Sequence, residues 1–434
     1  MSHDPGIPGS ASHAGPASPD PPTLGPVIFN PYDYAFHEDP YPTYRRLREE
    51  APVYHNPDLE FWALSRHADV VAAFRDNTRL SSANGVSLDP SAYGPNAHKV
   101  MSFLAMDDPR HMRMRRLVSK GFTPRRVADL EERILELTLR YLEPAAEAGE
   151  FDWISEFAGK LPMDVISELM GVPESDRSEI RRLADLVVHR EEGVLDVPVA
   201  AMEHRCTSRY YADMLAERRK KETSDLTSAL LAAEIDGDRL TDDEIIGFMF
   251  LMVVAGNETT TKLLGNALYW GAHNKSEVAQ VLRDPARAPQ WVEETLRYDT
   301  SSQIVARTAV ADIELHDATI RSGDKVLLLI GSANRDSDVF DTADDFRIGR
   351  DSSQKIASFG GGVHFCLGAH LARLEANIAL EQFARRVADY EIDEDRCERV
   401  HSTNVRGFAA LPVESPNDMP RFEPIPNAVP RWSP

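Results

Sequence analysis

The segment Phe359-Gly360-Gly361-Gly362-Val363-His364-Phe365-Cys366-Leu367-Gly368-Ala369 constrains this chain more than any other. It places a lone cysteine after three consecutive glycines and before a run of helical character, Ala369 to Arg386. The glycines let the backbone turn tightly and approach a flat ligand closely. A helix that begins just after the sulfur aims its positive dipole end and free N–H groups at it, which favours thiolate over thiol. An isolated cysteine is more often a buried structural thiol. The glycine frame and the following helix argue against that alternative here.

The remaining composition narrows the class. No Gly/Ser linker, Pro-rich bridge or repeat divides residues 30 to 413, so one large, mostly helical domain is the simplest account of the 434 residues. The formal net charge of −22 makes nucleic acid and anionic membrane poor partners. Cys206, Cys366 and Cys397 have no paired spacing, which argues against a disulfide framework and for a reducing, cytoplasmic setting. His364-x-Cys366 offers too few ligands for a tetrahedral zinc site. Residues 1–27 contain seven prolines within the first 26 positions, lack a basic cluster and an apolar core, and read as disordered rather than as a signal peptide. A Pro-rich tail, 414–434, closes the chain, leaving 28–413 as the folded domain. The longest apolar run, Ile245 to Ala255, covers 11 residues, too few for a transmembrane anchor.

Along the chain, Pro40 to Ala51 reads as a helix opened by proline, and Val53-Tyr54 and Phe61 to Leu64 as short strands. Ser81 to Ala97 reads as a long loop. Helical periodicity dominates from Pro109 to about Ala272, strand signals return at Ile304–Val310 and Lys325–Ile330, and the last long helix follows Cys366. The expected fold is mainly α with small peripheral β-sheets.

Three further motifs carry chemistry. Thr241-Asp242-Asp243-Glu244 predicts a capping box, followed by a helix whose first half is apolar on every side. Ala255-Gly256-Asn257-Glu258-Thr259-Thr260 then interrupts it with poor core-helix residues, including an acid that is expensive to bury unpartnered. Such conflicts mark functional sites. The alternative is a kink with Thr259 bonded back to a carbonyl. Glu294-x-x-Arg297 places an acid and a base on one helix face, as surface salt bridges also do. Asp108-Pro109-Arg110-His111-Met112-Arg113-Met114-Arg115-Arg116 places His111 and Arg115 at i, i+4, within a run of seven basic residues from Arg110 to Arg126 that has no acid.

Together these motifs resemble the cytochrome P-450 superfamily. Phe359 to Gly368 matches its cysteine-loop pattern F-x-x-G-x-x-x-C-x-G, Ala255 to Thr259 its A-G-x-D/E-T motif, and the elements stand in the right order over about residues 30–413. The chain looks like a soluble bacterial, actinobacterial-type member. The resemblance implies a haem b between a long central helix and the cysteine loop, with Cys366 as axial thiolate. A thiolate ligand pushes electron density onto iron and favours O–O cleavage. By the same resemblance Ala255 and Gly256 leave room for dioxygen, Thr259 hydrogen-bonds the oxygen under activation, and Glu258 belongs to the proton relay. His111, Arg115, His364 and Arg307 match the propionate clamps, and Phe359, Gly360 and Gly368 the loop around the cofactor. Glu294 and Arg297 match a buried structural pair completed by Asn334-Arg335-Asp336. The proline usual in the meander before the cysteine loop is replaced near Ala343.

The implied activity is hydroxylation or epoxidation of a lipophilic small molecule (lipid, terpenoid, steroid or polyketide), with dioxygen and two electrons from a ferredoxin and an NAD(P)H-dependent ferredoxin reductase. The basic run, Arg113 and Arg116 included, is the expected ferredoxin dock. The expected pocket includes Ser81–Met106 with Phe103 and Leu104, Leu186–His204, Val253, Val254, Ser301–Val305 with Ile304, and Val405–Ala409 with Phe408. The alternatives are a non-oxygenating haem-thiolate ligand or gas sensor, or a peroxide-dependent enzyme, in which the acid–threonine pair is typically absent. A thiol hydrolase using Cys366 and His364 lacks a third, orienting group.

Overall fold

The computed structural model describes residues 25–188, 199–352 and 355–415. Helix α1 (Tyr41–Glu50) turns Tyr41, Tyr44 and Leu47 inward. Strands β1 (Val53–Asn56) and β2 (Phe61–Leu64) follow, then α2 (His67–Arg75) and the short β3 (Leu80–Ser81). Next come α3 (Arg110–Val118), α4 (Glu131–Ala148), α5 (Leu161–Met170) and the central α6 (Asp242–His273). The chain continues through α7 (Ala288–Tyr298), β4 (Ile304–Ala309), β5 (Lys325–Leu329) and α8 (Ala369–Arg386). One sheet runs in the order β1-β2-β5-β4-β3. β5 lies between β4 (antiparallel, Val326 opposite Arg307) and β2 (parallel, Val326 opposite Trp62), so the backbone of Arg307 is fixed by an inner ladder.

The capping box forms as expected. Thr241 Oγ1 accepts the Glu244 N–H at 3.2 Å, and the Glu244 carboxylate accepts the Thr241 N–H at 3.0 Å. From there α6 threads two cores. Its first half packs Phe248 and Met249 against Met114, Met163 and Tyr211. Its second half packs Leu264 and Leu268 with Trp153, Phe157, Trp291 and Phe383. The Ala255–Thr260 stretch lies at the junction. Helix α6 is continuous from Asp242 to His273 through this stretch. Thr259 Oγ1 donates to Ala255 O at 2.8 Å, one turn back, which satisfies the hydroxyl within the helix.

Two elements escaped the sequence reading. Ile313–Leu315 and Ala318–Ile320 form a hairpin, and Pro412–Glu414 pairs with both Glu150–Asp152 and Glu391–Ile392. The last described strand therefore runs through Glu414. Apart from residues 25–27 and 414–415, the Pro-rich termini lie outside the described residues. No helix among those described is long and apolar enough to cross a membrane.

Candidate active site

Two glycines set the cysteine loop. Gly362 has φ +62, and a Cβ there would stand 2.6 Å from Phe74 O, so only glycine fits. Gly360, at φ +68, lies against the Phe74 ring. Cys366 N–H donates to Phe359 O at 3.0 Å and closes the loop, and α8 begins three residues later. Burial pushes the Cys366 thiol up, whereas the N–H groups of Gly368 and Ala369 and the Arg115 and Arg373 guanidiniums pull it down. The helix terminus aims at the sulfur, which faces the cavity. Metal coordination deprotonates a thiol outright and fixes the thiolate.

Cys366 opens onto a large apolar cavity lined by residues of two helices. Leu251, Met252, Ala255, Gly256, Thr259, Thr260 and Leu263 of α6 recur at helical spacing. Gly368, Leu371, Ala372 and Glu375 continue from the cysteine into α8. A Cβ at Gly256 would meet Ile166 at 3.6 Å, an ordinary contact, so packing against α5 does not demand glycine. Glu258 is not among the lining residues. It is buried on the other side of α6, 3.3 Å from Lys262 Nζ, which also donates to Phe408 O at 3.1 Å.

Four basic groups converge at one edge. Arg307 is buried, its Nη1 donates only to Ala306 O at 2.8 Å, and its side chain lies 5.7 Å from the Phe74 ring centre. Burial lowers its pKa to about 10, opposed only by distant Asp107. Arg115 donates to Phe365 O at 2.5 Å. Among the described residues, no carboxylate lies within ion-pair range of either arginine. The His364 and His111 ring centres are 4.0 Å apart. His364 Nδ1 and both His111 nitrogens are buried without hydrogen-bond partners, and Asp108 approaches His111 Nδ1 only to 3.5 Å. Burial, then the charges of His111, Arg307 and Arg115, hold His364 down to about 3.

Buried cations and donors without acids are costly. They fit a flat cofactor that carries two carboxylates and takes one thiolate ligand, which is the chemistry of haem. Phe359, Gly360, His364, Cys366, Gly368, Arg115 and Arg307 all line the cavity, and His111 stands behind His364 in an adjoining recess.

The expected pocket is partly corrected. Phe103, Leu104, Ser301, Ser302 and Val305 do line the cavity. Ile304 turns instead into the cluster of Phe29, Tyr41 and Tyr44, and Phe408 packs against Gly265 and Tyr269. Val253 and Val254 face the core, because Leu251, Met252 and Ala255 occupy the cavity side of the turn. Side chains 186–188 and 199–204, and residues 189–198 entirely, lie outside those described. Glu375, Phe122, Ile166 and Leu296 line the cavity but were not expected. Glu375 was detectable from its spacing of seven residues from Gly368 along one helix face.

The family model "Cytochrome P450" matches residues 196–388. The chain is 62% identical over 388 residues to cytochrome P450 123 of Mycobacterium tuberculosis, covering 89% of this chain and 96% of that one. It is 36% identical to vitamin D(3) 25-hydroxylase of Pseudonocardia autotrophica, covering 90% and 97%. The solved structure of the polyketide synthase cytochrome P450 PksS of Bacillus subtilis superposes with a TM-score of 0.82 at 34% identity, covering 89% of this chain and all of that one. With its cysteine loop, helical stripe and basic edge lining one cavity, this chain belongs to the cytochrome P450 family, enzymes that hold haem by a cysteine thiolate and act as monooxygenases.

Proposed function

We propose that this enzyme inserts one oxygen atom into a lipophilic small molecule, drawing its electrons from an acidic iron–sulfur protein. The observation that carries this reading is that Cys366 and Ala255, Gly256, Thr259 and Thr260 of α6 line one apolar cavity. Bound haem supplies the dioxygen activation, assisted by the thiolate. Cys366 would ligate the haem iron, its own N–H held by the Phe359 carbonyl and its sulfur by the Gly368 and Ala369 N–H groups. Arg115, Arg307, His111 and His364 would hold the cofactor's carboxylates. Thr259 directs its own proton to Ala255 O, so its oxygen remains free to accept a hydrogen bond. Glu258 pairs with Lys262 Nζ at the protein side of α6.

Val86, Phe103, Leu104, Met252 and Val305 exclude water and favour an apolar guest. The names of two relatives, one a vitamin D3 hydroxylase and one a polyketide enzyme, support a polycyclic or polyketide-like guest. Turnover under labelled dioxygen, with a ferredoxin, its reductase and NAD(P)H, is expected to place one labelled atom in the product. Haem-loaded enzyme that binds guests of these classes yet yields no labelled product would refute the reading.

The docking surface needs one revision. Arg113 is neutralised by Asp238, at 2.6 Å, and Glu244, at 2.8 Å. Arg110 and Arg116 remain exposed, beside exposed Met112, Val363 and Phe365 near the cysteine loop. An acidic partner fits this rim through steering by charge and contact with the apolar centre. Arg116→Glu is expected to slow the first reduction by ferredoxin about tenfold at low salt, with the difference shrinking as salt rises. Stopped-flow reduction kinetics provide the check, and a salt-independent or unchanged rate would contradict the dock.

A further inference from the structure

Two adjacent acids on α7 serve different partners, because neighbouring positions on a helix do not share a face. Glu294 meets Arg297 and the meander. Glu293 meets Arg373 of α8 in a two-pronged pair, Nε to Oε1 at 2.5 Å and Nη2 to Oε2 at 3.2 Å. The pair is mostly buried, with side-chain exposures of 26% for Arg373 and 18% for Glu293.

The same guanidinium lies over the Phe359 ring, its carbon 4.4 Å from the ring centre. The negative face of the ring attracts a cation placed there. Phe359 lines the cavity, and its carbonyl accepts the Cys366 N–H at 3.0 Å. A continuous run of contacts thus joins Glu293, Arg373, Phe359 and the cysteine. Arg373 and Arg115 are also the two cations whose charge favours the Cys366 thiolate. Their surroundings differ. Arg115 donates to Phe365 O and meets no carboxylate among the described residues, whereas Arg373 is held against one. Engaged by Glu293 and the ring, Arg373 is a poor docking charge for an acidic partner. Neither Arg373 nor Glu293 lines the cavity, so neither touches a guest.

We infer that the Glu293–Arg373 pair sets the reduction potential of the iron that Cys366 would ligate. A positive charge beside an iron–thiolate centre disfavours the more positive ferric state and raises the potential. Arg373 supplies that charge on the Phe359 side of the loop. Glu293 offsets part of it and fixes the guanidinium on the ring. Both are positioning residues: the donor's electron goes to the iron, ferric becomes ferrous, and the pair itself gains or loses neither electron nor proton. The inference rests on the monooxygenase reading, since it needs haem on Cys366, but the two fail on different measurements.

The experiment is a spectroelectrochemical titration of the guest-free holoenzyme with no ferredoxin present, so that docking cannot contribute. Arg373→Met is expected to move the equilibrium about tenfold toward the ferric form, about 59 mV for one electron. Glu293→Gln should move it the other way, about threefold toward the ferrous form, and the double variant should return close to wild type. Arg373→Lys keeps the charge and loses the planar fork, so it should hold the potential while losing stability. A mere brace between α7 and α8 would lower stability in every single variant and leave the potential unmoved, or move it in one direction only. Either of those results overturns the inference. If Arg373→Met does not load haem, Glu293→Gln and Arg373→Lys decide, and a Gln variant whose potential does not rise overturns it. A wild type without the red-shifted carbon monoxide band overturns the monooxygenase reading instead.

Discussion

Arg297→Met is expected to destabilise the fold by about 3–5 kcal/mol, the usual cost of breaking a buried ion pair from one side. Arg297 is fully buried and Glu294 is 1% exposed. The guanidinium meets the carboxylate in a two-pronged pair, Nη2 to Oε1 at 2.7 Å and Nε to Oε2 at 2.9 Å. Its remaining donors reach Asn334 O at 3.1 Å, Ala343 O at 2.7 Å and Asp345 O at 2.8 Å. Glu294 also receives the Arg347 N–H at 2.8 Å. One side chain thus ties α7 to the meander that leads into the cysteine loop. Methionine matches the length but leaves a buried carboxylate and three carbonyls without that donor set. Arg297→Lys keeps the charge and loses the planar fork, so it should fall between the two. Urea titrations followed by both helical signal and Soret absorbance provide the check. An unchanged midpoint in Arg297→Met would show that the meander is held by other means.

Cys366→His is expected to keep the fold and the haem while removing the red-shifted Soret band of the reduced carbon monoxide complex and all monooxygenase turnover. The sulfur faces the cavity and makes no packing contact on which either core depends. Arg115, Arg307, His111 and His364 remain to hold the carboxylates. Imidazole is a competent iron ligand but lacks the electron push of a thiolate. Loss of haem altogether would mean that the basic edge contributes little to retention. Retention of the red shift would place the thiolate elsewhere.

The sequence shows most clearly those features whose chemistry is local. The α6 capping box, α8 and the cysteine loop all rest on residues within a few positions of one another, and the structure has them where the spacing predicts. The poor helix formers at Ala255–Thr260 do not end α6. Helix propensity is a weak prior, and neighbours on both sides hold Ala255–Thr260 helical. Pairings between distant segments, such as Glu150–Asp152 with Pro412–Glu414, leave no local mark. The direction of Glu258 was equally hidden. Its partner, Lys262, is visible at i+4, but which side of α6 the pair occupies depends on Phe408 and the C-terminal strands. The basic run looked uniform until folding set Asp238 and Glu244 against Arg113. Glu375 carries no motif, and only the fold sets it beside the cavity.

The most direct test of the central claim is the optical spectrum of purified protein, reduced with dithionite under carbon monoxide, after titration of the ferric form with vitamin D-like, steroid, polyketide and fatty-acid guests. The account predicts a strongly red-shifted Soret band on carbon monoxide binding and a blue shift of the ferric band with at least one guest class. A haem protein without the red shift, or a colourless protein, would contradict the assignment of Cys366 as the ligand in this cavity.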